Sequence, residues 1–197
     1  MRFLPSTQAT DPQPRHVPFA WRSARTVAGL ELAYDRDSKQ YRAAFVALDA
    51  RTLEVVDNGT ATQNEPLPAW VKAWEALEID PDVVIVQGPD LAEQLGLVLG
   101  KPTLSSAKTA LPGSHAPLAA AAGAEVPLVH RGQVVGQVMR LKRGSDPVYV
   151  SPGHLMDASS AAEVVRRCSR GYHLPEPIRQ AHLFASHLRM GAGRPAA

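Results

Sequence analysis

Cys168 is the single cysteine in a chain of 197 residues. Its isolation excludes an internal disulfide and any cysteine-cluster zinc site, so disulfide and structural-zinc chemistry recede. Long apolar runs are missing too. Val83 to Val86 and Leu95 to Leu99 are short and interrupted, well below the roughly 18 consecutive residues of a membrane span. The opening MRFLPSTQATDPQPRH has no apolar centre of the length a secretory signal needs, and its three prolines disfavour an amphipathic import helix, which reads as cytoplasmic. A strong net charge is absent as well, at +2, but the two parts of the chain differ. From Arg131 onward there are ten Lys or Arg against four Asp or Glu, whereas residues 1–130 carry 11 against 15. The basic part suits a polyanion, and equally a solvated surface with arginines on the backs of helices.

The remaining composition, 45% hydrophobic and 20% charged, is that of a globular chain able to bury one core. Residues 1–25 are polar and proline-rich and read as a loosely held arm, residues 26–190 as a single domain, and residues 191–197 as a disordered tail. VAGLELAYD, YRAAFVALDA and TLEVV are three β-biased runs separated by turn-forming stretches, which predicts an antiparallel meander. Trp70, Val71, Trp74 and Leu77 recur at helical spacing between Pro68 and Ile79. The two tryptophans, four apart, suit a helix face in the core, or less simply a base-stacking platform. VVIV then reads as a strand buried on both faces, followed by a helix from Leu91 to Leu99 that stops at Gly100 and Pro102.

A helix leading into an apolar strand implies parallel pairing, so the expected class is an α/β protein with a ribonuclease H-like mixed sheet and flanking helices. LPGSHAPLAAAAGA, residues 111–124, is expected as a loop, and VVGQVMRLKRGSDPVYV as a hairpin turning at Arg143 to Asp146. Two helices are predicted to close the domain. The first runs from Ser159 to Arg170, with Ser160 and Glu163 at capping-box spacing, and the second from Pro177 to Met190.

PVYVSPGH, followed by a helix and then RGYHLPEPIRQAH, resembles the endonuclease V family, nucleases that cut near deoxyinosine or inosine. VAGLELAYD resembles that family's first strand, and DPDVVIVQG, LGLVLGKPT and SSAKTAL resemble its central strand and the elements after it, in order. The resemblance implies a ribonuclease H-like fold and a magnesium- or manganese-dependent phosphodiester hydrolysis centred on carboxylates. Two ions held roughly 3.5 to 4 Å apart activate water and stabilise the leaving oxygen.

Carried over position by position, the resemblance puts Glu31 where the family has an Asp, with its oxygen about 1.5 Å farther out. It puts Glu65 at the second carboxylate and Gln87 at the third, an Asp in the family. An amide oxygen can ligate a cation but brings no charge. Lys108 falls in the family's Ala-Lys position, and His154 in its Gly-His position beside the metal. A Pro-Tyr-x-Pro wedge is absent, Asp57 to Asn64 being too short to hold it, and the loop after the central strand is reduced to Gly88-Pro89-Asp90. Each residue also has a plainer reading. Glu31 is a metal ligand, a partner of Lys108 or an arginine, or an outward strand residue. Glu65 is an acid ahead of a helix, Asp90 an N-cap or a recruited ligand, Gln87 a neutral replacement bonded to backbone.

For binding, Gly88 and Lys108 join Arg166 and Arg170 of the basic C-terminal part. The expected function is an endonuclease V-like protein that binds DNA or RNA, inosine-containing or single-stranded. Its degraded metal site hydrolyses weakly or not at all. The alternatives are an active nuclease using Glu31, Glu65 and Asp90 around one or two ions, and a protein-interaction module on the same scaffold.

Overall fold

A computed structural model describes residues 13–192. Eight strands form one mixed sheet: β1 Thr26–Asp35, β2 Gln40–Asp49, β3 Val55–Gln63, β4 Val83–Val86, β5 Thr103–Ala107, β6 Glu125–His130, β7 Gln133–Met139 and β8 Val148–Pro152, in the spatial order β3-β2-β1-β4-β5-β8-β7-β6. The first three make the expected antiparallel meander, and β4 runs parallel to both β1 and β5. Strand Val27 to Tyr34 is thus flanked by the two strands its sequence order implied.

Helices cover both faces. On one side α1 Pro66–Glu75 and α2 Pro89–Leu99 bury Trp70, Trp74 and Leu95 against Leu30, Phe45 and Val86. Both tryptophans therefore belong to the core, Trp70 at 2% and Trp74 at 4% exposure. On the other side α3 Ala158–Arg167 and α4 Glu176–Ala192 bury Val164, Val165 and Ile178 against Val27, Ile85, Leu104 and Val150. The two-residue alternation of β1 sends Val27, Gly29 and Glu31 toward α4, and Ala28 and Leu30 toward α1 and α2. Cys168 lies in the α3–α4 core. Burial, with the nearby Glu176 charge, pushes its thiol far up, so it stays protonated and unreactive.

Several boundaries differ from expectation for identifiable reasons. The third strand begins at Val55 and continues to Gln63, so Asp57 to Asn64 is mostly ladder rather than a shortened loop. Helix α1 ends at Glu75 instead of Ile79 because Asp57 Oδ2 accepts the amides of Glu78 and Ile79, at 2.7 and 2.9 Å, and turns the chain out. Helix α3 is capped by Asp157, which accepts Ser160 N at 2.7 Å. The expected capping residue, Ser160, instead accepts Phe19 N at 2.9 Å through its hydroxyl. That bond belongs to the segment expected as a loose arm. Within it, Arg15 N donates to His154 Nδ1 at 3.2 Å, and Phe19, Trp21 and Ala24 pack on the α3–α4 core. Residues 1–12 of the expected arm and 193–197 of the expected tail lie outside the described residues. Strand β6 has no counterpart in the sequence reading, since EVPLVH is interrupted by Pro127 and half exposed.

Gly29 permits the closest approach between layers. A Cβ there would lie 2.1 Å from the Pro177 carbonyl oxygen and 2.7 Å from Ile178 N. Gly29→Ala is expected to lift α4 from β1 at a cost of about 3 kcal/mol, the upper end of overpacking penalties. Urea unfolding checks this. A midpoint unchanged from the parent would contradict the close packing.

Candidate active site

Glu31 and Gln87 meet because β1 and β4 are parallel neighbours. The register pairs Gly29 with Ile85, and two residues on along each strand these side chains emerge on the α4 face. Gln87 Nε2 lies 3.5 Å from Glu31 Oε2, at the limit of a hydrogen bond. From above, His182 of α4 places Nδ1 3.3 Å from Glu31 Oε1. The Glu31 side chain is 17% exposed, half of a rim rather than a sealed core, so its carboxylate is open to both partners and to solvent. His182 sits one turn after Ile178 on α4, whose backbone meets Gly29, so the Gly29 approach also sets this contact.

Of the three readings of Glu31, the geometry pairs it with Gln87 and His182 and not with Lys108 or an arginine. Lys108 follows β5 on the same face by alternation from buried Leu104, and it is exposed. Glu65 occupies the N-cap of α1, exposed and without a side-chain capping bond. Asp90 lies exposed in the first turn of α2, where the N-cap is Gly88 rather than Asp90. Gly88 takes φ +118°, a backbone conformation open to glycine, and its N–H is occupied by Ser105 Oγ at 3.1 Å.

His154 is placed away from Glu31. It is buried below α2, where its Cβ would press on any side chain at Gly96, and its amide donates to Thr103 Oγ1 at 2.9 Å. The histidine at Glu31 is His182, which the quoted RGYHLPEPIRQAH segment contains. The signal was helical: Ile178, Ala181 and Ala185 mark the buried face of α4, and His182 lies at its margin. Arg166 is engaged by Glu125 at 2.9 Å, and Arg170 donates to the Thr52 carbonyl beside the start of β1, at the far end of that strand from Glu31.

Among the described residues no group of three or more His, Cys, Asp or Glu gathers to hold a metal ion. What converges is one carboxylate, one carboxamide and one imidazole. That donor set does not fit a pair of magnesium ions, which demand hard, mostly anionic oxygen ligands in octahedral geometry.

A mixed sheet with helices on both faces, and an acid on its first strand beside the end of the parallel central strand, belongs to the ribonuclease H-like class of fold. The endonuclease V family profile matches residues 14–183, and the chain belongs to that family. It is 38% identical to endonuclease V of Myxococcus xanthus, with 86% of this chain and 81% of the relative covered. The crystal structure of Bacillus subtilis endonuclease V superimposes with a TM-score of 0.82 at 26% identity, over 91% of this chain and 87% of that one. Ciona intestinalis endonuclease V shares the fold, with a TM-score of 0.73 at 15% identity over 88% of this chain and 90% of that one, and was crystallised with a DNA 24-mer containing an inosine followed by a ribo-adenosine. No helix among the described residues is long and apolar enough to cross a membrane.

Burial, and then the charges of Arg15 and His16, hold the His154 imidazole below its ordinary value, so it is neutral in the fold. The unfolded chain binds that proton more readily. Its contribution to stability is therefore present above the ordinary histidine value of 6.5 and lost as pH falls through the lower folded value. His154→Gln, which keeps an acceptor for Arg15 N, is expected to flatten the pH 5 to 7 slope of thermal stability. Nucleic-acid affinity should not change. Parallel melting curves for parent and variant check the first point.

Proposed function

We propose that this endonuclease V-family protein binds nucleic acid and hydrolyses inosine-containing strands weakly or not at all. The observation that carries the reading is the hydrogen bond from the Gln87 carboxamide to Glu31. Where the family resemblance implies two carboxylates side by side, a neutral amide uses one of its hydrogens to satisfy the remaining acid. Two like charges at that spacing attract divalent metal, whereas one charge capped by an amide attracts it far less. Glu65 and Asp90 lie at helix starts, where an acid is favoured without any metal. Magnesium or manganese would supply Lewis-acid and water-activating chemistry, and of the carried-over ligand positions Glu31 and the Gln87 oxygen adjoin in the fold. Lys108 then lies on the face where a scissile phosphate must sit, and His182 orients the Glu31 carboxylate.

A second reading, an active nuclease with altered ligands, is favoured by one observation: His182 and Lys108 remain on the Glu31 face. Cleavage of inosine-containing single and double strands, DNA and RNA, with magnesium and with manganese, separates the two. The expected outcome is little or no cutting by the parent in magnesium. Glu31→Asp with Gln87→Asp should gain about tenfold or more. Efficient cutting by the parent, unimproved in the double variant, would establish the second reading.

A further inference from the structure

An open cavity of about 630 Å³ lies at the opposite end of β1 from Glu31, lined by Trp21, Arg22, Arg25, Asp49, Arg51 and Arg167. Thr26, which opens β1, pairs with Asp49 and stands roughly 17 Å along the strand from Glu31. We propose that this cavity is a second phosphate-binding site, remote from the Glu31 centre, in which the four arginines hold backbone phosphates of a single nucleic-acid strand beside the Trp21 indole. The proposal rests on the nucleic-acid reading above for the source of the phosphates, though not for the chemistry of the site.

Four guanidinium groups meet here from separate parts of the chain. Arg22 and Arg25 precede β1, Arg51 sits in the turn between β2 and β3, and Arg167 ends α3. All four residues are exposed. Among the described residues Arg22, Arg25 and Arg51 form no ion pair, and Arg167 is paired with Glu163 at 3.5 Å. Asp49 is the one carboxylate lining the cavity, and its Oδ1 already accepts the amides of Arg51 and Thr52, at 2.9 and 2.8 Å. Asp82 Oδ2 is likewise taken up by the amides of Arg25 and Thr26, at 2.8 and 3.0 Å. Like charges gathered around a concave surface repel one another until an anion enters, and each guanidinium offers a phosphate two parallel donors.

The segments that carry these arginines are fixed before any ligand arrives. Trp21–Ser23 forms a single 3₁₀ turn, in which Ser23 N and Ser23 Oγ donate to the Ala20 carbonyl at 3.0 and 2.7 Å. Ala50 N donates to the Arg25 carbonyl at 2.8 Å and ties the approach to β1 onto the β2–β3 turn. Arg170, just past α3, donates to the Thr52 carbonyl and holds the same turn from the other side. None of these segments has to order on binding, which removes part of the entropic cost.

Trp21 bears on the kind of ligand. Half-buried, it packs on the α3–α4 core and also lines the cavity, so an aromatic ring stands ready among the cations. Arginines that follow a backbone, next to a ring on which a base can stack, are the combination that holds single strands. The cavity is open, which suits a strand passing through it better than a small molecule, whose sites enclose most of the ligand.

The experiment titrates the full chain with tripolyphosphate and with a thymidine decamer. Tryptophan emission is followed for both, and decamer affinity by fluorescence anisotropy from about 50 to 200 mM salt. Trp70 and Trp74 are buried, so the emission change on binding is expected to come from Trp21 and to vanish in Trp21→Phe. Arg22→Gln with Arg51→Gln should weaken the decamer about tenfold and flatten the slope of log affinity against log salt by about 1.4, two contacts at roughly 0.7 each. Arg22→Lys with Arg51→Lys should keep the slope. Arg36→Gln with Lys72→Gln, two exposed cations that do not line the cavity, should change neither. Emission changes with both ligands, lost in the Gln pair of the cavity alone, support the site and its source. A change with tripolyphosphate alone keeps the anion site and overturns the strand as its ligand. No change with either, or a parent-like slope in the Gln pair, overturns the site. A decamer that still binds in that case leaves the nucleic-acid reading standing, and one that never binds overturns both.

Discussion

Contact between α4 and β1 at Gly29 governs the geometry of everything described at the site. The helix backbone stands on a strand residue with no side chain, and a methyl group there would occupy the space of the Pro177 carbonyl. Because the contact is backbone to backbone, it leaves no slack: the height and rotation of α4 follow from it. One turn later His182 meets Glu31, and just before it Glu176 begins the helix, its N–H held by the Cys168 carbonyl and its carboxylate by Arg179 and Gln180. Layers that pack at organic-crystal density transmit such a constraint over several residues.

The electrostatic character of the site follows from what faces Glu31. A carboxylate with a second carboxylate beside it is a place for a cation, and one flanked by an amide and an imidazole is already satisfied. Past Glu31, Lys108 stands exposed on the same face of the sheet. Arg166 and Arg170, which add to the formal positive charge of the C-terminal part, are spent on Glu125 and on the Thr52 carbonyl. Net charge along a sequence does not reveal which cations are neutralised by neighbours far away in the chain.

Family fold and phosphodiester hydrolysis depend on different residues. The sheet and its covering helices rest on apolar positions such as Val83 to Val86 and Leu104, which tolerate exchange among similar shapes. Hydrolysis of a phosphodiester rests on a few charged atoms placed to fractions of an ångström.

Local chemistry in the sequence settled the meander of β1 to β3, the amphipathic α1 with its buried tryptophans, and the fully apolar β4 with its parallel pairing, because periodicity and proline punctuation act over a few residues. It also put Glu31 and Gln87 on neighbouring strands, through strand order and the family resemblance. Tertiary structure decided the rest. Asp57, seventeen residues before the last buried tryptophan, Trp74, trims α1 only because β3 brings it under the helix exit. Ser160 is diverted from capping by Phe19, 141 residues away. His154 and His182 are both histidines near a recognisable motif. One is buried under α2 and the other stands over Glu31, and helix placement on the sheet, a sum of many weak long-range contacts, makes that distinction.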